Sequence, residues 1–278
     1  MPSWPSSRTD AVLPGAAMSG IAVWRDGPAD GATNMAADEC LAAEAVSRGG
    51  LVIRLYRWKT TTISLGAFQP IVAARDCAAI AGMPLVRRPS GGGAIVHGSD
   101  FTYAAAVPKW HAWGATPQVL YDAFHGAMVA TLRAWGVETR LAEADPAVEG
   151  QFFCFDRRAG GDLLADHPTP GAESPTIKLM GSAQRRLAEA VLQHGSLLLT
   201  PNPDVGAAAR HSALANLAGA TPMGADGWPA WTDAWLERVA MAAGEPLADQ
   251  PNSFLKTAPH GLAAGRERFA AERWTQRR

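Results

Sequence analysis

Two residues with reactive side chains stand out in the second half of the sequence, Cys154 and Lys178. A cysteine acts as a nucleophile when a nearby cation or dipole holds it as a thiolate. Cys154 follows Gln151-Phe-Phe at a predicted strand end beside a loop, whereas Cys40 and Cys77 lie within predicted helices and are expected to be buried and inert. The aromatic neighbours of Cys154 are also typical of a cysteine that serves as a small hydrophobe. The residue types alone leave both roles open.

Lys178 is one of only four lysines in a chain with 25 basic residues. It stands at the end of a predicted strand, just before Gly181, Ser182 and Ala183, which we expect to form a small-residue turn with room for a slim ligand. A half-buried lysine there would be a fixed positive charge or an amine with a depressed pKa. A surface lysine at a strand end is the alternative interpretation.

A run of three glycines, Gly91, Gly92 and Gly93, lies in the segment Arg87-Arg-Pro-Ser-Gly-Gly-Gly-Ala. Its backbone N–H groups could bind a carboxylate, thioester or phosphate oxygen, with Arg87 or Arg88 adding a charge-assisted bond. A glycine-rich hairpin turn between two strands is the alternative. The segment is neither a Walker A motif nor a dinucleotide-binding fingerprint.

A polar break interrupts the apolar segment 191–199 at Gln193-His-Gly-Ser. Such a break favours a strand that lines a cavity, with His194 as a candidate ligand contact. The alternative is a core histidine whose hydrogen bonds are satisfied within the protein.

Residue periodicity predicts a mixed α+β fold around these motifs, because strands and helices alternate irregularly. We predict strands over 20–24, 51–58, 61–65, 84–88, 94–97, 101–107, 138–141, 151–155, 162–165, 176–180 and 191–199. We predict helices over 34–46, 70–81 and 117–135, a loop at 166–175, and a mostly helical region from about 203. Asp38 and Glu39 are expected in the first turns of their helix, where the dipole favours acids.

Composition narrows the class of protein further. Of 278 residues, 47% are hydrophobic and 18% charged, which is typical of a folded globular chain. The net charge of −1 argues against a protein that binds nucleic acid by bulk electrostatics. Three widely spaced cysteines predict neither a disulfide framework nor a zinc site. The sequence has no apolar run long enough for a membrane span and no secretory signal, so we expect a cytoplasmic protein, with residues 1–19 as a flexible extension.

Seven sequence blocks occur in a fixed order over roughly residues 20–200. They are Asn34-Met-Ala-Ala-Asp-Glu, Arg54-Leu-Tyr-Arg-Trp, Ser64-Leu-Gly-Ala-Phe-Gln, Arg87-Arg-Pro-Ser-Gly-Gly-Gly-Ala, Phe101-Thr-Tyr, Lys178-Leu-Met-Gly-Ser-Ala-Gln-Arg-Arg and Gln193-His-Gly-Ser. Together they resemble the lipoate–protein ligase and octanoyltransferase family. The resemblance implies a fold like that of biotin protein ligases and class II aminoacyl-tRNA synthetases, with a mixed, largely antiparallel sheet and packed helices. It also implies a catalytic domain over 20–202 and a helical C-terminal extension over 203–278 that packs on it.

The family contains two chemistries, and Cys154-Phe155 ahead of the Lys178 strand resembles the cysteine-type octanoyltransferases. These enzymes take octanoate from acyl carrier protein, hold it as a thioester on the cysteine, and pass it to a lysine of a lipoyl domain. The acceptor would be a protein such as the glycine cleavage H protein or a 2-oxoacid dehydrogenase subunit, and neither a cofactor nor a metal is implied. The alternative is a lipoate–protein ligase, which needs ATP and Mg²⁺ and forms an acyl adenylate.

The resemblance also implies residue roles. Cys154 and Lys178 would be catalytic, with Lys178 stabilising the thiolate, polarising the acyl carbonyl or helping to deprotonate the acceptor lysine. The residues expected to bind substrate are Arg87, Ser90, Gly91, Gly92, Gly93, His97, Gly181, Ser182, Ala183 and His194. Backbone N–H groups of residues 91–93 or 182–183 would form an oxyanion hole, and apolar strand residues a slot for eight carbons.

The sequence departs from the family pattern in two places. His97 is followed by Gly98-Ser99-Asp100, where the family often has His-Asp, and the 166–175 loop is longer than expected. Two further functions therefore stay open: acyl transfer between two lipoyl domains, and a catalytically silent module that binds acyl carrier or lipoyl domains. Nothing in the sequence indicates an oligomeric state.

Overall fold

An eight-stranded mixed sheet runs through the computed structural model, which describes residues 20–143, 151–172, 174–218, 221–257 and 261–277. Its strands are β1 (Ile21–Ala29), β2 (Val52–Trp58), β6 (Asp100–Pro108), β7 (Arg140–Leu141), β8 (Leu163–Asp166), β9 (Thr176–Arg186), β10 (Ala190–Leu198) and β11 (Leu247–Asp249). Their order is β11-β1-β2-β6-β10-β9-β8-β7. Only the β1–β11 and β1–β2 pairs are parallel, so the sheet is largely antiparallel.

Helices cover both faces of this sheet, since alternate residues of the central strands are apolar on each side. Val191 and Leu197 of β10 belong to the core on one face, and Leu192 to the core on the other. The helices are α1 (Gly31–Arg48), α2 (Ile71–Arg75), α3 (Ala112–Ala115), α4 (Pro117–Ala134), α5 (Ala215–Ala218), α6 (Thr232–Ala243), α7 (Phe254–Thr257), α8 (Leu262–Ala270) and α9 (Glu272–Thr275). Helices α4 and α6 pack together on the first face, and α1 with α8 on the second.

A second, three-stranded sheet carries the glycine run. Its strands are β3 (Thr62–Leu65), β4 (Leu85–Arg87) and β5 (Ile95–His97), in the order β4-β3-β5. Because β3 lies between the two strands that flank the glycines, those strands do not pair with each other, and the hairpin-turn interpretation is wrong. The glycines instead form a loop that crosses from one edge of the small sheet to the other.

Three predicted elements differ from the observed ones. The helix predicted over 70–81 ends at Arg75, because Cys77 adopts an extended backbone before a 3₁₀ turn over Ala78–Ile80. The strand predicted over 151–155 is also wrong, since residues 154–156 form a 3₁₀ turn and Phe153 makes a single bridge to Ala94. The turn predicted at 181–183 lies instead in the middle of β9.

Residues beyond 203 contribute to the same framework. Strand β11 extends the sheet beside β1, and Trp228, Trp231 and Trp235 pack against Phe101 in the core that α4 covers. The domain division at 202/203 stays a prediction, and the predicted extension 1–19 lies outside the described residues. Within the described ranges, no helix has the length and hydropathy to cross a bilayer.

Helix α1 places two polar residues inside the protein. It begins at Gly31, three residues before the predicted start, with Asp30 as N-cap. Asp38 was expected in the first turns of the helix, but it lies beyond them, and its side chain is fully buried. Its charge is met by Arg54 of β2, whose guanidinium also binds Asp26 at 2.6 Å and Asn34 at 2.9 Å.

Replacement of Arg54 by methionine should destabilise the fold by about 3–5 kcal/mol, because it leaves two buried carboxylates unpaired. The side chains of all three residues are fully buried: Arg54, Asp26 and Asp38. Urea unfolding at 25 °C measures the loss. Arg25→Met is the control, since Arg25 pairs with exposed Asp233 and Asp249 and its loss should cost about 1 kcal/mol or less. Equal losses in the two variants would contradict the prediction.

Candidate active site

Cys154 opens the 3₁₀ turn that follows the Phe153 bridge, directly beside the glycine run. The N–H of Cys154 donates to the carbonyl of Ala94 at 2.8 Å, and the N–H of Ala94 donates to Phe152 at 2.9 Å. A Cβ on Gly93 would lie 2.7 Å from the Cys154 nitrogen, so only glycine permits this approach. The sequence separates these segments by some sixty residues, and the fold brings them into contact.

Lys178 lies on β9 at a break in the strand ladder. Its register partner on β8 is Leu164, while Met180 pairs with Leu163, so the ladder shifts by one residue between them. A Cβ on Gly181 would lie 2.7 Å from Cε and 2.9 Å from Nζ of Lys178. Gly181 therefore leaves space for the lysine side chain. The register shift beside it is a β-bulge, a feature that often lies next to functional residues.

Three ionisable side chains meet at this point. Lys178 Nζ lies 3.5 Å from Cys154 Sγ and 3.2 Å from its carbonyl oxygen. On the other side, Nζ lies 2.8 Å from Asp162 Oδ2, in an ion pair whose side chains are 4% and 2% exposed. Burial alone would lower the pKa of Lys178, but the Cys154 sulfur and the Asp162 carboxylate together raise it. In this arrangement the lysine therefore carries a positive charge and is not an amine with a depressed pKa.

Asp162 was not among the residues expected from the sequence. Its carboxylate also accepts bonds from the N–H of Ala159 at 2.7 Å and from the hydroxyl of Tyr121 at 3.1 Å. The available signal was an acid directly before the apolar segment Leu163–Ala165, at the start of a strand. Nothing in that pattern indicates which lysine the acid meets.

Of the two arginines before the glycine run, Arg88 faces the site. Its Nη1 donates to the carbonyl of Ser64 and its Nη2 to the carbonyls of Gly91 and Gly93. Burial lowers the pKa of Arg88 to about 10, an effect that the nearby sulfur of Cys154 partly offsets. Arg88 therefore keeps its charge at neutral pH and holds the glycine loop in place.

Arg87 serves a different part of the fold. It is fully buried and donates to the carbonyls of Gly66, Gln69 and Thr275 at 2.7–2.9 Å. The indole of Trp274 donates in turn to the carbonyl of Arg87. These bonds connect the C-terminal helix α9 to the glycine segment. They explain why the Arg87 guanidinium is buried without invoking a bound ligand.

Three of the predicted residues, Ser90, His97 and His194, belong to two buried Ser–His–Asp hydrogen-bonded sets. Ser90 Oγ is hydrogen-bonded to His194 Nε2, and His194 Nδ1 lies 3.1 Å from Asp38. In the second set, His97 Nε2 is hydrogen-bonded to Ser64 Oγ at 2.8 Å, and His97 Nδ1 to Asp100 Oδ2 at 2.7 Å. Asp100 thus supplies the carboxylate that the family pattern places directly after the histidine.

The small residues of β9 lie in the ladder with β10. Ser182 pairs with Gly195 and Ala183 with His194, and a Cβ on Gly195 would lie 2.3 Å from Ser182 Oγ. Ser182 Oγ is hydrogen-bonded to His125 Nε2 at 2.7 Å and to the Tyr103 hydroxyl at 2.8 Å. Burial lowers the pKa of His125 to about 3, so its ring is neutral.

Two cavities lie in the region of the Cys154–Lys178 pair. One is a narrow, half-open space with room for only about 20 Å³. Its lining residues include Met35, Trp58, Arg88, Ile95, His97 and His194. Ile95 lines this cavity, and both Ile95 and Cys154 pack against the small core cluster of Phe155, Leu198 and Ala213. Because the polar side chains there bond to one another, carbon atoms are left to face the space, as an alkyl chain requires.

The other cavity is wide and polar and opens to solvent. Lys178 and Phe155 form its floor, and Arg158, His167 and Ser174 come from the segments around the long 166–175 loop. Lys178 thus lines the open cavity, while Arg88, which interacts with the Cys154 sulfur, lines the narrow one. Among the described residues, no group of three His, Cys, Asp or Glu side chains could hold a metal ion.

Comparison with curated proteins identifies two octanoyltransferases as relatives. The octanoyltransferase LipM of Moorella thermoacetica is 35% identical over 193 residues, which cover 65% of this chain and 67% of that protein. LipM of Carboxydothermus hydrogenoformans is 31% identical over 179 residues, or 63% of each chain. The chain thus spans about two thirds of the length of the curated relatives that it matches.

Solved structures show the same fold at low sequence identity. A bipartite lipoate protein ligase from Thermoplasma acidophilum has a TM-score of 0.60 and 15% identity, covering 93% of this chain and 96% of that chain. Lipoate-protein ligase A bound with ATP has a TM-score of 0.62 and 16% identity, covering 93% of this chain and 99% of that chain. The mixed α+β fold predicted from the sequence is confirmed. Residues 30–218 match the family described as the lipoyl protein ligase A/B catalytic domain, so this protein belongs to that family, as its seven sequence blocks indicated.

Proposed function

We propose that this protein is an octanoyltransferase that moves octanoate from acyl carrier protein to a lysine of a lipoyl domain through a thioester on Cys154. The observation that carries the proposal is the 3.5 Å contact between Cys154 Sγ and the buried ammonium of Lys178. A thiolate is a strong nucleophile, and an ammonium at that distance stabilises it electrostatically. The relatives named octanoyltransferase support the same reaction.

The first half of the reaction forms the thioester. The Cys154 thiolate attacks the carbonyl carbon of the octanoyl thioester, and the bond from that carbon to the carrier sulfur breaks. Lys178 gives its proton to the departing sulfur, which leaves as a thiol, and the lysine remains as a neutral amine. One thioester replaces another, so the step needs no ATP.

The second half transfers the acyl group to the acceptor. The neutral amine of the acceptor lysine attacks the thioester, and the carbon–sulfur bond to Cys154 breaks. Lys178 takes the proton from the attacking nitrogen, and Cys154 leaves as a thiolate beside the restored ammonium. The cycle thus ends in the ion pair from which it started.

Each cavity has a role in this scheme. The hydrocarbon chain enters at the narrow cavity, whose lining side chains must move apart because its present room of about 20 Å³ is too small for eight carbons. Each methylene buried there contributes about 0.8 kcal/mol of binding. The wide cavity admits the carrier arm and then the acceptor lysine, because it reaches Lys178 from solvent. Backbone N–H groups of residues 91–93 or 182–183 would bind the oxyanion, and the remaining substrate-binding roles expected from the sequence stay predictions.

Intact mass spectrometry tests the proposal directly. After incubation with octanoyl-acyl carrier protein and without ATP, the protein should carry one octanoyl group. Adding a lipoyl domain should discharge that group and leave an octanoyl adduct on the domain. A ligase would instead modify the domain only with free lipoate or octanoate, ATP and Mg²⁺, so an absolute need for nucleotide would overturn the proposal.

Gly93→Ala should reduce transfer roughly 10- to 100-fold, the cost expected for a displaced catalytic atom. The new methyl would meet the backbone of Cys154 and Phe153 at 2.7–2.9 Å, so the cysteine segment must move. Steady-state transfer rates measure the effect. Gly91→Ala provides the comparison, since its methyl meets only the edge of Phe68 at 3.8 Å and should cost far less. Similar losses in both variants would contradict the geometric explanation.

A further inference from the structure

Asp162 is the third charged group at the catalytic pair. Its Oδ2 lies 2.8 Å from Lys178 Nζ, closer than Cys154 Sγ at 3.5 Å. Charges this close in a protein interior interact strongly, so a change in any one of the three groups affects the other two. The carboxylate competes with the thiolate for one ammonium, and its removal must change the reactivity of the cysteine.

Three ionisable groups packed close to Asp162, Lys178 and Cys154 keep a constant charge near neutral pH. Tyr121 donates to Asp162 Oδ1, and burial raises the pKa of Tyr121 far above the neutral range. His125, stacked on Tyr121, is neutral because burial lowers its pKa to about 3. Arg88, on the side of the glycine loop, remains positive with a pKa of about 10. Towards solvent, the ionisable groups that line the open cavity with Lys178 are Asp156, Arg158, His167 and His211.

The two halves of the reaction place opposite demands on Lys178. In the first half the lysine gives up a proton, which a neighbouring carboxylate does not assist. In the second half the neutral amine must take up a proton, which a carboxylate at 2.8 Å strongly favours. The same carboxylate, held by Ala159 and Tyr121, fixes the position of Nζ.

We propose that Asp162 is a positioning residue that acts through Lys178, making it an effective proton acceptor in the step that transfers the acyl group to the acceptor lysine. This inference rests on the proposed function. It assigns to Asp162 the second half of the reaction and not the first, so the two halves should respond differently to its loss.

Single-turnover measurements on Asp162→Asn separate the two halves. Acylation of Cys154 by octanoyl-acyl carrier protein should stay within about threefold of wild type, while discharge by a lipoyl domain should slow at least about tenfold. The octanoyl form should therefore accumulate during turnover, visible by intact mass. Equal slowing of both halves would indicate a merely structural role and would overturn the proposal.

Alkylation of Cys154 by iodoacetamide gives a readout that needs no acyl substrate. In Asp162→Asn the pH midpoint of alkylation should fall by about half a unit or more, because a negative charge that opposes the thiolate is gone. Asp162→Glu, which keeps the charge, should restore the midpoint towards wild type. An unchanged midpoint in Asp162→Asn, or equal shifts in both variants, would overturn the proposal.

Asp166→Asn is the matched control at the other end of β8. Its side chain is 84% exposed and pairs with Arg140 at the surface, so neither the midpoint nor the discharge rate should change. The outcomes also separate this inference from the proposed function. If wild-type protein forms no octanoyl adduct, the proposed function fails, while the alkylation midpoints still show whether Asp162 acts on Cys154.

Discussion

Replacement of Cys154 by serine should abolish octanoyl transfer, with a loss of roughly 10³-fold or more. An ammonium 3.5 Å away can hold a thiolate, but a serine hydroxyl is far too weak an acid to ionise there. Without the anion no thioester forms, and the reaction stops before the first bond changes. Transfer to a lipoyl domain, followed by mass spectrometry of both proteins, measures the loss.

The fold should tolerate this change. Cys154 is only partly buried, and its N–H bond to Ala94 involves the backbone alone. The melting temperature of Cys154→Ser should therefore stay close to that of wild type. Cys77→Ser is the matched control, since Cys77 is another partly buried free thiol and should keep full activity. A Cys154→Ser variant that turns over normally would rule out the thioester mechanism.

Sequence patterns located the candidate site residues better than they predicted the geometry of the site. The rarity of lysine drew attention to Lys178 on a predicted strand, and the placement of Cys40 and Cys77 within predicted helices left Cys154 as the candidate nucleophile. The distance between Lys178 and Cys154, however, depends on the register of β9 against β8, which shifts by one residue at the bulge. The alternation of residue types along the strand does not reveal this register shift. A glycine such as Gly181 is as typical of a turn as of a strand with a bulge, so the sequence favoured a turn at 181–183.

Three acidic residues have roles that the sequence analysis did not predict, and for the same physical reason. Asp162, Asp38 and Asp100 are acids whose charge is met by a partner that is distant in sequence or on another element. A buried acid looks in sequence like an exposed acid, and only the partner reveals the difference. Asp38 was placed in a first helical turn for this reason, whereas its partner Arg54 lies on the neighbouring strand.

The glycine run illustrates the same limit at the level of topology. Two strand patterns joined by glycines suggest a hairpin, since sequential strands often pair. Here β3, earlier in the chain, lies between them, and the pairing that decides this is non-local. The resemblance to a family supplied what local patterns could not, because the order of blocks reflects the whole fold.

Replacement of Lys178 by methionine should reduce both transfer and stability. Transfer should fall by about 100-fold or more, because the thiolate loses its ammonium and the acceptor step loses its proton acceptor. Unfolding free energy should fall by about 3–5 kcal/mol, because Asp162 is left as a buried, unpaired carboxylate. Urea unfolding at neutral pH measures the stability loss, and transfer to a lipoyl domain measures the activity loss.

The double variant Lys178→Met/Asp162→Asn separates the two effects. Removing both charges removes the unpaired carboxylate, so most of the lost stability should return. Transfer should not return, because the ammonium and the proton acceptor that Lys178 supplies beside Cys154 are still absent. If activity recovered together with stability, the single variant would have failed through its fold, and Lys178 would have no part in the chemistry. Stability that recovers without activity would instead show that the charge at position 178 serves the reaction, and that Asp162 provides the counter-charge that allows a lysine to stay buried there.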